Sequence, residues 1–258
     1  MTALQNKFFL VTRTEEQSAA FRSLLESRGA KTTCLPAIQI VDPDSWEDCD
    51  NAIWKLAEYF AVCFTSKNAV DKFIARIRSI RPQALHTLSD CKLFTVGEKT
   101  KAALHANGFS TSFAPQHASA GELAAALKTL DVYGLHILLP KSNIARSELS
   151  DQLRAVGASV DEVITYKTIL PHPAHLDAVQ QMLKEKKIDA VTFFSPSSVV
   201  NVVEMLGTDL LAQTAIAAIG STTAEAVTQA GLHTNVVAPQ ATSESLASEI
   251  EKYFTNIR

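Results

Sequence analysis

Glycine and cysteine are scarce in this sequence, and long apolar runs are missing from it. Only nine of 258 residues are glycine and four are cysteine. No GxGxxG opens a helix after a strand-like run, and no GxxxxGK[ST] occurs, so neither fingerprint of a bound nucleotide is present. No GxSxG elbow precedes a serine, which removes the usual signature of a serine hydrolase. Cys34, Cys49, Cys63 and Cys91 are too dispersed for a metal knuckle or a CxxC pair and read as reduced, structural thiols. The seven histidines have no ligand spacing, and His172 and His175 fall in a proline-rich stretch. No metal and no cofactor is therefore expected.

The apolar run of "FFLVT" near the N-terminus is shorter than the core of a signal peptide. No later run approaches the ~18 residues of a membrane-spanning helix, so no membrane contact and a cytoplasmic location are expected. The formal charge is only −3, which provides no basic field for nucleic acid. Attraction for an anion has to be local.

What is present is a repeat. "FAVCFTSKNAV" (60–70) returns as "DAVTFFSPSSVV" (189–200) at an offset of 129, with Phe64 on Phe193 and Ser66 on Ser195. "SLLESRGAKTT" (23–33) matches "DQLRAVGASVD" (151–161) at an offset of 128, which also places Arg13 on Lys141. "FTVGEKTKAALHANGF" (94–109) matches "AAIGSTTAEAVTQAGL" (217–232) at 123, and both copies then reach Ala-Pro-Gln, at 114–116 and 238–240. Matched blocks in one order mean an internal duplication rather than a solenoid, because there are only two copies.

Each block is a short apolar run, a polar turn and a helical pattern closed by glycine. Such alternation predicts parallel α/β units, with "FFLVT", "AVCFT", "LFTVG", "HILLP", "AVTFF" and "IAAIG" as strands buried on both faces. The fold class expected is α/β, two doubly wound parallel-sheet domains with internal duplication. Thr14 with Gln17, Ser119 with Glu122 and Thr222 with Glu225 have capping-box spacing.

Prolines cluster near 36–43 and 171–173 and mark two linkers, 36–39 and 167–171. Residues 1–35 then join 172–258 in one discontinuous domain, residues 40–166 form the second, and a two-stranded hinge joins them. A simple cut near residue 131 is the alternative.

In open parallel sheets ligands bind beyond the carboxyl ends of the strands. The turns expected there hold Arg13; Thr65, Ser66 and Asn68; Gly97; Lys141 and Arg146; Ser195, Ser197 and Ser198; and Gly220, Ser221, Thr222 and Thr223. Hydroxyls at such turns are helix caps first. Several of them on one face, with free N–H groups and helix dipoles behind, also suit carboxylates or phosphates. Tyr166 ends the strand-like "VDEVITYKT" just before the second linker, where it faces the space between domains. It is either a core or hinge aromatic with its hydroxyl bonded to backbone, or a phenol that donates a proton or hydrogen bond to a leaving oxygen.

The ordered set "FTSKNAV", "TVGEKTKAAL", "LRAVGASVDEVITYKT", "TFFSPSSV" and "AAIGSTTAEAV" resembles the uroporphyrinogen-III synthase family across nearly the whole chain. The resemblance implies two flavodoxin-like domains and a cofactor-free lyase of haem biosynthesis. That lyase would act as a monomer on a small-molecule substrate, the linear tetrapyrrole polycarboxylate preuroporphyrinogen (hydroxymethylbilane). The product is uroporphyrinogen III, formed by dehydration, inversion of ring D and ring closure. Tyr166 matches the family's tyrosine at the cleft and Thr223 a family threonine, while Ser221 stands where the family often has proline. A non-catalytic two-domain binding protein or regulator that closes on an anionic metabolite would use the same turns and has no need of Tyr166.

Overall fold

Each apolar run followed by a hydroxyl-rich turn becomes a parallel strand leading into a helix. The computed structural model of the protein describes residues 3–112 and 120–256. Its first elements are β1 (Phe8–Val11), α1 (Glu15–Glu26), β2 (Lys31–Cys34) and a short β3 (Gln39–Val41). Then come α2 (Glu47–Trp54), β4 (Ala61–Phe64), α3 (Lys67–Ile80), α4 (Ala84–Asp90), β5 (Lys92–Thr95) and α5 (Glu98–Ala106). They are followed by α6 (Ala120–Lys128), β6 (His136–Ser142), α7 (Glu148–Ala155) and β7 (Ser159–Ile169). The last stretch is α8 (Leu176–Lys184), β8 (Ala190–Phe193), α9 (Pro196–Leu206), α10 (Thr208–Leu211), β9 (Ala215–Ala218), α11 (Ser221–Gln229), β10 (Val236–Val237) and α12 (Ser243–Asn256).

The chain divides into two units, Met1–Gln39 with Ile169–Arg258, and Ile40–Thr168. The first unit's sheet has the order β2-β1-β8-β9-β10. Numbered within the unit this is 2-1-3-4-5, the flavodoxin-like order. The second unit's sheet has the order β3-β7-β6-β4-β5.

Across the repeat, β6, β7, β4 and β5 correspond to β1, β2, β8 and β9, so the run β7-β6-β4-β5 has the same order as β2-β1-β8-β9. The registers repeat as well. Val11 pairs with Cys34 as Leu139 pairs with Glu162, and Phe9 pairs with Ala190 as Ile137 pairs with Ala61. Beyond the strands, Asn235 Oδ1 accepts the N–H of Ile216 at 2.9 Å, and at the equivalent place Ser112 Oγ accepts that of Leu93 at 3.2 Å. Each sequence copy therefore supplies one half of each sheet.

The inner strands β1, β4 and β8 are almost wholly buried because both faces of each sheet are covered. In β1, Phe9 and Val11 join a cluster with Phe21, Leu25, Leu246, Ile250 and Phe254, while Leu10 joins Val179, Val199, Val202 and Ile216 on the opposite face. The alternation recurs in β4, where Val62 and Phe64 pack with Phe73 and Ile77, and Ala61 and Cys63 with Leu123 and Leu153. α3 illustrates the local cause: Val70, Phe73, Ile74 and Ile77 recur at helical spacing and are fully buried. Burial of each stabilises the unit by roughly 2 kcal/mol. Arg81 takes a non-helical conformation and Pro82 cannot continue the ladder, so the helix ends there.

Two local expectations change. Gln39, which follows Pro36, and residues 167–169, which precede Pro171, read as linker but lie in β3 and β7, where their backbone groups join the second unit's sheet. Thr222 lies within the first turn of α11 and Gly220 is its cap, whereas the capping box that forms is Ser195 with Ser198. Thr14 does cap α1, accepting from the Gln17 N–H at 3.2 Å. Residues 114–116 and Ser119 lie outside the described residues. Among the described residues no helix is long and apolar enough to cross a membrane.

Candidate active site

In the first unit β1, β8 and β9 run parallel and adjacent, so the turns that follow them share the carboxyl edge of one sheet. Arg13 leaves β1 and lays its guanidinium over the ring of Phe194, 4.1 Å from the centroid. Burial lowers its pKa from the usual arginine value, and among the described residues no carboxylate pairs with it. Just before it, Thr12 Oγ1 donates to the Thr192 carbonyl at 2.8 Å, tying the β1 turn to β8.

The β8 turn is held by its own hydroxyls. Ser195 is extended and its Oγ accepts the Ser198 N–H at 3.2 Å, while Ser198 Oγ accepts the Ser195 N–H at the same distance. Ser197 is exposed, with its Oγ 3.1 Å from that of Ser195. At the β9 turn Ser221 and Thr222 are exposed and Thr223 is buried at 1% exposure. The Thr223 hydroxyl has no hydrogen-bond partner among the described residues.

The second unit presents the equivalent edge with different chemistry. Ser66 is extended and caps α3, its Oγ accepting the Ala69 N–H at 3.1 Å, while Thr65 is exposed and Asn68 half-buried beside it. The Tyr166 hydroxyl lies 3.0 Å from Ser66 Oγ. The tyrosine is only 6% exposed and belongs to this unit's own core with Phe64, Val70 and Leu138. Gly97, at φ +83°, caps α5 in a backbone conformation that favours glycine.

Lys141 differs from its counterpart Arg13. Its Nζ is 2.7 Å from Glu162 Oε1, an oxygen that also accepts from Ser150 at 2.8 Å, and Arg154 approaches Oε2 at 3.4 Å. Burial alone would raise the Glu162 pKa. Hydrogen bonds from Lys141 and Ser150, with the charges of Lys141 and Arg154, outweigh burial and hold the carboxyl below its ordinary value. Lys141 is thereby neutralised within the unit, and Arg146, exposed in the same turn, is a cation open to solvent.

The structure thus joins Ser66 to Tyr166 and groups Arg13 with the β8 turn. It gives Lys141 an internal partner. A polar cavity of about 370 Å³ in the second unit, lined by Asn51, Lys55, Tyr59, Arg154 and Asp161, shares none of the candidate residues. Phe194 and Glu162 are not legible in the sequence as site residues. Phe194 looks like the end of an apolar strand, and Glu162 pairs with Lys141 only through the β6–β7 register.

The chain is similar to known proteins over nearly its whole length. The family model described as Uroporphyrinogen-III synthase HemD matches residues 19–248. A uroporphyrinogen-III synthase of Chlorobaculum parvum is 29% identical over 245 residues, covering 95% of this chain and 98% of the relative. One of Synechococcus elongatus is 27% identical over 258 residues, covering 97% and 96%. Among solved structures, a mutant uroporphyrinogen III synthase of Thermus thermophilus superposes with a TM-score of 0.67 at 16% identity, covering 97% of this chain and 99% of that one. The enzyme of Helicobacter pylori gives 0.62 at 17%, covering 98% and 100%, so these two share the fold. The chain belongs to the uroporphyrinogen-III synthase family, the cyclising lyases of tetrapyrrole biosynthesis.

Proposed function

We propose that Tyr166 is the acid of the reaction and that the turns of both units hold the substrate's carboxylates. The reaction converts hydroxymethylbilane to uroporphyrinogen III. The ring A pyrrole nitrogen pushes out the hydroxyl of its hydroxymethyl group, and the phenol proton of Tyr166 goes to that oxygen, releasing water. The azafulvenium cation is attacked by ring D at its already substituted position, giving a spiro intermediate that fragments and recloses with ring D inverted. Rearomatisation of ring D releases a proton, which restores the phenol.

Without a protein, ring D attacks through its free position and gives the type I isomer. The main task is therefore to hold one conformer of a flexible polyanion. Arg13, Arg146, the hydroxyls of Thr65, Ser195, Ser197, Ser198, Ser221, Thr222 and Thr223, the Asn68 amide, and the N–H groups after Gly97 and Gly220 supply distributed donors. Lys141 acts through Glu162 to fix the β6 turn. The observation that most supports this reading is the buried Tyr166 phenol, whose hydroxyl contacts a candidate turn at Ser66. We extend it to a cytoplasmic monomer that needs neither nucleic acid nor membrane. Four cysteines free of disulfides suit a reducing compartment.

The test supplies freshly made hydroxymethylbilane to the purified protein, oxidises the products and separates the isomers. Type III product is expected, with Tyr166→Phe slower by about ten-fold to a hundred-fold, at or below the usual range for a positioned acid. Stoichiometric binding with only type I product would favour the regulator, and an unchanged Tyr166→Phe rate would remove the acid.

A further inference from the structure

We infer that Ser66 is a positioning residue for Tyr166: its hydroxyl donates to the phenol oxygen and leaves the phenol proton free to point outward. This rests on the acid role proposed for Tyr166. A serine hydroxyl has one hydrogen to give and room to accept. Ser66 Oγ already accepts the Ala69 N–H at 3.1 Å, and Tyr166 Oη, at 3.0 Å, is its other partner. If Tyr166 donated to Ser66, the acid proton would be spent inside the unit and the Ser66 hydrogen would have no acceptor among the described residues. With Ser66 as donor that hydrogen is placed, and the phenol hydrogen, with no acceptor among the described residues, is left for a substrate oxygen.

The chain of donors then runs from the Ala69 N–H through Ser66 to Tyr166, so each bond polarises the next, with the positive end of the 14-residue α3 at its origin. Negative charge developing on the phenol oxygen, as its proton leaves, meets a donor already in place, which is how an oriented hydrogen bond lowers a barrier. The repeat provides an internal contrast. Ser195, the counterpart of Ser66, caps α9 in the same way, but the offset of 128 puts Ile38, which has no hydroxyl, where Tyr166 stands. The Ser195 hydroxyl meets Ser197 instead. The cap is thus common to both units, and the phenol contact is an addition in one.

The experiment is a double-mutant cycle at saturating hydroxymethylbilane, with melting temperatures measured alongside. Ser66→Ala should lower kcat about five-fold to ten-fold in the native background and less than about two-fold in Tyr166→Phe, because residues acting as a unit are non-additive. Ser66→Asp separates capping from donation: aspartate caps as well as serine but its carboxylate cannot donate, so the melting temperature should hold while kcat falls at least as far as in Ser66→Ala. Equal losses from Ser66→Ala in both backgrounds, or native kcat in Ser66→Asp, would overturn the inference and leave the acid role standing. Native kcat in Tyr166→Phe would overturn both.

Discussion

Lys141 Nζ lies 2.7 Å from Glu162 Oε1, whereas Arg13, at the equivalent place in the other sheet, has Cys34 in the position of that glutamate. One cation is neutralised and the other rests on Phe194 with no carboxylate beside it among the described residues. The two copies of the repeat have diverged in what they do with this charge.

If Arg13 holds a substrate carboxylate, Arg13→Gln should raise KM for hydroxymethylbilane about ten-fold, the scale of one lost charge-assisted hydrogen bond, with little change in melting temperature. Lys141→Gln should do the reverse, costing about 1 to 3 kcal/mol of stability by leaving Glu162 without its closest cation, at nearly native KM. Steady-state kinetics and thermal melts on the two variants check this, and equal KM effects would contradict it.

Glu162 also predicts a pH dependence. Its folded pKa is lowered, so its contribution to stability is present above the ordinary carboxyl value of about 4.3 and is lost as pH falls through the folded value below that. Glu162→Gln should melt below the parent at pH 7, and the gap should close toward pH 3. A gap that stays constant over that range would show that the carboxylate's charge is not what stabilises the unit.

Thr223→Val is expected to separate binding from folding. The residue is buried and its hydroxyl has no protein partner among the described residues, so its removal leaves nothing orphaned and should keep or raise the melting temperature. If the hydroxyl donates to a substrate carboxylate, KM should rise several-fold. A variant that is both less stable and native in KM would assign Thr223 to packing alone.

Residues 39–169 expressed alone should melt cooperatively, because all five strands of that sheet lie within them. Residues 1–131 should not, since they contain β1 and β2 of one sheet and β3, β4 and β5 of the other, and complete neither. Guanidinium titrations of the two fragments check this directly. A cooperative transition in the second with none in the first would contradict the division.

The elements follow from local sequence because their causes are local. Apolar runs such as "AVCF" and "AVTF" become strands because they are short and bounded by turns. Ser66 and Ser195 start helices because a hydroxyl three residues before an N–H caps it wherever the pair occurs. The duplication is likewise plain in sequence, because Gly29 and Gly157, both at φ +87°, end the matched helices α1 and α7 where a Cβ would be strained.

What pairs with what is another matter. Gln39 at the start of β3 and residues 167–169 at the end of β7 join the second sheet although they read as linker, because edge pairing satisfies backbone groups that carry no side-chain signature. The meaning of Lys141 turns on Glu162, 21 residues away, and that of Tyr166 on Ser66, 100 residues away. A residue's type is written in the chain, but whether its charge or proton is free depends on the neighbour that strand order and register bring within about 3 Å, where hydrogen bonds form. Sequence alone determined which groups could do the chemistry, and the tertiary structure decided which of them are left able to do it.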